Sequence, residues 1–122
     1  MNFEQAKTLC RTFPGVVEDT KWDNNLVFSV GARMFAVTNL GEATGISFKV
    51  EDARFLELTD RPGIIPAPYL ARAKWVYVED AQALGDEEAA QLLRRSYELV
   101  FAKLTKKLQR EITEASSGCP AA

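Results

Sequence analysis

The chain has 122 residues, 47% of them apolar and 26% charged, which fits one globular domain able to bury a core without disulfides or metal. Fifteen basic against seventeen acidic residues leave a net charge of −2, and a pI near 5.2 argues against a dedicated nucleic-acid binder, which usually carries a positive field. Histidine is absent, so Ser-His-Asp and Cys-His catalysis are excluded, and with two distant cysteines a zinc site is not expected.

Asn2 followed by Gln5 has the form of a capping box. Phe3, Ala6, Leu9, Cys10 and Phe13 then recur at three- and four-residue steps, predicting a helix that Pro14-Gly15 ends. Cys10, on that stripe, reads as a small buried hydrophobe. Val16 to Trp22 predicts a short edge strand. From residue 26 the period changes to two: Leu26, Phe28 and Val30 alternate with Val27 and Ser29. Gly31-Ala32 predicts a two-residue turn, glycine first suiting type II′, with Met34 to Thr38 as the partner strand. Ile46, Phe48 and Val50 form another half-buried strand, whose other face carries Ser47 and Lys49.

Glu51 to Leu58 predicts a short helix with Ala53, Leu56 and Phe55 inward. Arg61 to Pro68 holds three prolines and one glycine and predicts an ordered extended loop, pinned to the core by Ile64 and Ile65. Lys74 to Glu79 reads as a strand with Val76 and Val78 on one face and Trp75 and Tyr77 on the other. Asp86, Glu87 and Glu88 open the last helix at the positive end of its dipole. Leu93, Tyr97, Val100, Leu104 and Leu108 then predict one continuous helix to about Ile112. The element order α-β-β-β-β-α-β-α implies an α+β domain in two layers, with a mainly antiparallel sheet of about five strands and three helices. One domain over 1–113 is expected, with 114–122 a flexible tail.

Two constellations could carry a function. The first is an aromatic and cationic patch: Trp75 and Tyr77 with Lys49 and Ser47 on the same sheet face, bordered by Tyr69, Arg72 and Lys74. If Val76 and Val78 meet the helices, the aromatics face outward and can stack bases or anchor a partner protein. If the aromatics point inward, they are core. The second is a basic stripe on the last helix, Lys103, Lys106, Lys107 and Arg110, with Arg95 near the same side. It reads either as a phosphate-contacting face or as a solvated one that complements the dipole. The glycines do not form a phosphate-binding loop, since none leads from a strand into a helix. No catalytic pair, cofactor site or metal site is visible. No apolar run approaches the roughly 20 residues of a membrane span, no signal-peptide core opens the chain, and a reducing cytoplasm fits the cysteine usage.

Several short signatures follow one another: Phe13-Pro14-Gly15-Val16, Lys21-Trp22-Asp23, Gly31-Ala32-Arg33-Met34-Phe35-Ala36, Ile46-Ser47-Phe48-Lys49, Pro62-Gly63-Ile64-Ile65-Pro66 and Lys74-Trp75-Val76, ahead of the basic helix. Their order and spacing resemble the MmcQ/YjbR family of small bacterial domains over nearly the whole chain. The resemblance implies a YjbR-like fold, similar to that of type III secretion chaperones, and a DNA-binding role without catalysis. Many members carry a histidine just before the tryptophan; here Tyr69-Leu70-Ala71-Arg72-Ala73-Lys74 has none, so no role of that histidine carries over. The expectation is weak, non-specific DNA binding through Lys103, Lys106, Lys107, Arg110, Arg72 and Lys74, with Trp75 as a stacking platform. A protein-interaction module and a small-ligand domain are the alternatives. Monomer and dimer are both open.

Overall fold

A computed structural model describes residues 1–21, 24–41, 44–68 and 70–117. Among the described residues, six strands form one sheet: β1 (Val16–Lys21), β2 (Asn25–Val30), β3 (Arg33–Asn39), β4 (Ile46–Lys49), β5 (Ile64–Pro66) and β6 (Trp75–Val78). Four helices accompany them: α1 (Phe3–Thr12), α2 (Asp52–Thr59), α3 (Asp86–Phe101) and α4 (Lys106–Ser117). The strand order is β1-β2-β3-β4-β6-β5 and every neighbouring pair is antiparallel. The expected α+β architecture is the observed one.

Alternation assigns the two faces of the sheet. Register carries Phe28 to Ala36, Ala36 to Phe48 and Phe48 to Val76. This row, with Ile46, Val78 and Ile64, packs against Cys10 of α1 and Leu93, Tyr97 and Val100 of α3 in one buried cluster. Phe13, Phe28, Phe35 and Tyr97 pack at tilted angles within it, the Phe35 and Tyr97 rings edge-on at 5.5 Å. The opposite face takes Val27, Val37, Ser47, Tyr77 and Ile65, with Lys49 beside Trp75 one step along.

The helices run along the sheet in a defined sense. Met1 places its ammonium on the Leu84 carbonyl and 3.3 Å from Asp86, and Lys7 Nζ donates to the Gly41 carbonyl. Farther on, Tyr97 Oη donates to the Pro14 carbonyl. α1 and α3 therefore both start at the Gly41 end of the sheet and finish at its Gly31 end.

Local signals are realised where they are self-contained. Asn2 Oδ1 accepts from the amides of Glu4 and Gln5 at 2.9 and 3.0 Å, the cap its sequence position predicts. Other expectations need correction. The sixth strand, β5, comes from the proline-rich segment expected to be a loop; Pro66 is tolerated because β5 is an edge. Gly31 and Ala32 both sit at positive φ, +57° and +66°, which is the type I′ arrangement and not type II′. In α2 the inward side is Leu58, with Phe55 half-buried, whereas Ala53 and Leu56 are exposed.

The long last helix is in fact two. α3 stops at Phe101, and Thr105 Oγ1 accepts from the Leu108 amide to open α4, which continues past Ile112 to Ser117. Gln109 Nε2 reaches back to the carbonyls of Phe101, Ala102 and Leu104, groups a helix end leaves unpaired. The break lets Leu104, Leu108 and Ile112 fold over the Gly31 end. A Cβ on Gly31 would lie 2.6 Å from Leu104 Cδ2, and one on Gly15 (φ +74°) 2.9 Å from Ile112 Cγ2. Both turns must be glycine for α4 to sit there. Trp22, Tyr69, Cys119 and the predicted tail beyond 117 lie outside the described residues.

Candidate functional site

The Gly31 end of the sheet gathers cations from five separate segments. Register opposes Lys49, at the end of β4, to Trp75, at the start of β6. Lys49 Nζ donates to the Ala73 carbonyl at 2.5 Å, which holds it beside the turn 71–73 that carries exposed Arg72. Lys74 follows at φ +62°, a left-handed backbone that costs about 1 kcal/mol outside glycine. That geometry brings its ammonium 5.1 Å above the Phe55 ring of α2. Lys103 lies in the turn between α3 and α4, and Lys106, Lys107 and Arg110 are exposed on α4. Arg33, which opens β3 directly after the Gly31-Ala32 turn, joins them; its signal was its place beside the hairpin turn.

Lys103 is therefore not on the same helix face as Lys106, Lys107 and Arg110. The bend between helices, not a straight stripe, places them at one end. Burial, and next the neighbouring Lys103 charge, push the Lys49 ammonium down from its ordinary value, against a smaller opposing pull from Asp52. The two lysines thus repel, an arrangement that an anion relieves.

Ion pairing sets five arginines apart from the candidate cations. Arg61 grips Glu88 at 2.7 Å and also Glu57; Arg54 bridges Glu57 and Glu88; Arg95 binds Glu51 and Glu98; Arg94 leans on Glu98; Arg11 meets Glu18. Arg95, expected to extend the basic stripe, is consumed in this way, and Glu51 is held below the usual carboxylate range chiefly by its hydrogen bond to Arg95. By contrast, all seven predicted cations, Lys49, Arg72, Lys74, Lys103, Lys106, Lys107 and Arg110, make no ion pair among the described residues. Exposed Asp60, Glu79, Asp80, Asp86 and Glu87 lie toward the other end, while Asp52 follows β4 and Glu111 and Glu114 lie on α4 among the cations.

The aromatic half of the patch is changed. Trp75 does lie on the sheet face away from the helices, as the outward reading required, yet it is only 4% exposed. Its backbone is tied to the preceding turn: the Ala67 amide donates to the Trp75 carbonyl and the Trp75 amide to that of Leu70. A closed-in indole cannot stack on a ligand, so Trp75 is not a platform, and a ligand pocket walled by it loses that wall. Tyr77 remains half-exposed, its phenol laid over Gly45, where any side chain would collide with Oη. Tyr69 lies outside the described residues.

One residue the sequence reading passed over positions Lys49. Ser96 is fully buried, donates to the Phe35 carbonyl at 2.7 Å and accepts from the Lys49 amide at 3.0 Å. It ties β3 and the end of β4 to α3. Its signal was present: it falls on the same helical stripe as Leu92, Leu93 and Val100. Among the described residues no cluster of three or more His, Cys, Asp or Glu could hold a metal, and no helix is long and apolar enough to cross a membrane.

Comparison with known proteins places the architecture. A solved Deinococcus radiodurans protein, DR2400, with a DUF419 domain, is 30% identical with a TM-score of 0.79, over 92% of this chain and 88% of its own. A solved Pseudomonas syringae protein is 22% identical with a TM-score of 0.66, over 82% of this chain and 99% of its own, a likeness of fold alone. No curated protein matches. The family model described as YjbR matches residues 11–99, from the end of α1 into α3, so the whole sheet and the Ser96 clamp fall within it, and the chain belongs to the YjbR family.

Proposed function

We propose that this protein binds DNA non-enzymatically and without sequence preference, through phosphate contacts at the Gly31 end of the sheet. One observation carries the reading: among the described residues the seven candidate cations make no ion pair, while Arg11, Arg54, Arg61, Arg94 and Arg95 are each paired with a carboxylate. Unpaired cations release counterions from DNA when they meet phosphates, and the affinity then falls steeply with salt. The Lys49 ammonium, disfavoured by burial and next by the Lys103 charge, gains further from a neighbouring anion. No recognition helix enters the surface, which is why sequence reading is not part of the proposal.

The test is a fluorescence-anisotropy titration of labelled DNA at about 50 and 200 mM salt, comparing the wild type with a Lys106→Glu, Lys107→Glu, Arg110→Glu variant. Removing three phosphate contacts lowers the salt slope by about 3. Binding that ignores salt, or a variant that binds as the parent does, removes the proposal.

A second reading, a protein-interaction module, is favoured by Leu56, 78% exposed on α2, and Val17, 62% exposed on the β1 edge. Leu56→Glu separates the two, since it abolishes capture of a protein partner and leaves DNA affinity as it was.

A further inference from the structure

We propose that the DNA taken by this surface is single-stranded, with one or two bases laid on the sheet face beside Tyr77. This rests on the nucleic-acid reading above and narrows its ligand. The face turned away from the helices carries a cross-strand row, Val37, Ser47, Tyr77 and Ile65, set by direct register between β3, β4, β6 and β5. All four are at least partly exposed, and none is charged. Lys49 lies on the same face two residues beyond Ser47, a spacing of about 6.7 Å along a strand. Beyond Lys49 come Arg72 and Lys74, in the segment that leads into β6. A neutral row containing an aromatic ring thus adjoins Lys49 and the segment that carries exposed Arg72, while the Lys74 ammonium turns to Phe55 of α2.

Each ligand form makes different use of those rows. A duplex presents phosphates outward and keeps its base faces stacked inside, so it engages the cations and leaves the neutral row idle. A single strand can set its phosphates on Lys49 and Arg72 and turn a base onto Tyr77 and Val37, where stacking contributes without regard to sequence. Gly45 matters to this arrangement, because its missing side chain leaves the phenol room to lie across the sheet.

The experiment compares anisotropy titrations of a labelled single strand of about 12 nucleotides and of the same strand annealed to its complement. Tyr77→Ala and Tyr77→Phe are measured beside the charge-reversed α4 variant, and each variant's thermal melt confirms that it is folded. The expected result is single-strand affinity about tenfold above that of the duplex, lost in Tyr77→Ala, kept in Tyr77→Phe, with duplex affinity unchanged. Because Tyr77→Ala removes a packed ring, a second readout uses the unmodified protein: photocrosslinking of a bromouracil-substituted strand, with the adduct mapped to β6 by mass spectrometry. Equal affinity for both forms, or a crosslink confined to α4, overturns the single-strand assignment while loss of binding on charge reversal upholds the phosphate surface. Indifference of both ligands to charge reversal overturns both.

Discussion

Gly31→Ala should unseat α4. Gly31 holds φ at +57°, where an alanine costs about 1–2 kcal/mol. The new Cβ would stand 2.6 and 2.7 Å from the two Leu104 methyls and 2.9 Å from Leu108 Cδ2. Leu104 is only 7% exposed, so it has no free space to retreat into, and displacing a packed side chain adds about 1–3 kcal/mol. The total is about 3 kcal/mol, and at roughly 4 °C per kcal/mol for a chain of this size the melting temperature falls by about 12 °C. The neighbouring Ala32→Gly gives the control of opposite sign. Ala32 already occupies φ +66°, so glycine relieves strain there and stabilises by about 0.5 kcal/mol after its own entropic cost. Circular dichroism melts of the two variants and the parent test the pair. A Gly31→Ala protein melting within about 2 °C of the parent would show that α4 is not held on this turn and refute the reasoning.

Ser96→Ala leaves the Phe35 carbonyl and the Lys49 amide without their buried partner and should cost about 2 kcal/mol in urea unfolding, with faster hydrogen exchange at Lys49 than at Phe48; equal exchange at both would contradict the clamp. Arg61 holds the Glu88 carboxyl below its ordinary range, so the folded pKa lies under the unfolded one and the pair stabilises above the unfolded value. Glu88→Gln should therefore cost up to about 1 kcal/mol at about pH 7, screened because both partners are a third exposed, and the difference should shrink as pH falls through about 4 toward the lowered folded value; a difference that is the same at about pH 3 as at about pH 7 excludes this origin. Burial pushes the Cys10 thiol up to about 12, so in a Cys119→Ser background a disulfide reagent at about pH 8 should react only on unfolding in denaturant. Rapid labelling of the folded protein would mean that α1 opens.

Features that depend on neighbours in the chain were legible. The Asn2 cap, the Gly31-Ala32 hairpin, the alternation that puts Phe48 and Val76 on one face and Lys49 and Tyr77 on the other, and the apolar stripe of α3 all follow from local periodicity and turn chemistry. The seven cations could be named from position too, although the lack of ion pairs on them among the described residues could not. Pairing is decided over distance: Arg61 finds Glu88 across 27 residues and Arg95 finds Glu51 across 44. The bend at residues 102–105 escaped because the apolar spacing runs unbroken through Val100, Leu104 and Leu108; only the Thr105 cap hinted at it. Trp75 was left between an outward and an inward reading, since alternation determines direction and says nothing of how deeply the side chain is then buried. Sequence alone thus settled which residues share a helix stripe or a strand face, because those relations are fixed by backbone geometry over a few residues. Tertiary structure decided which of them reach solvent and which charges stay unpaired, because burial and ion pairing depend on segments far apart in the chain meeting in space.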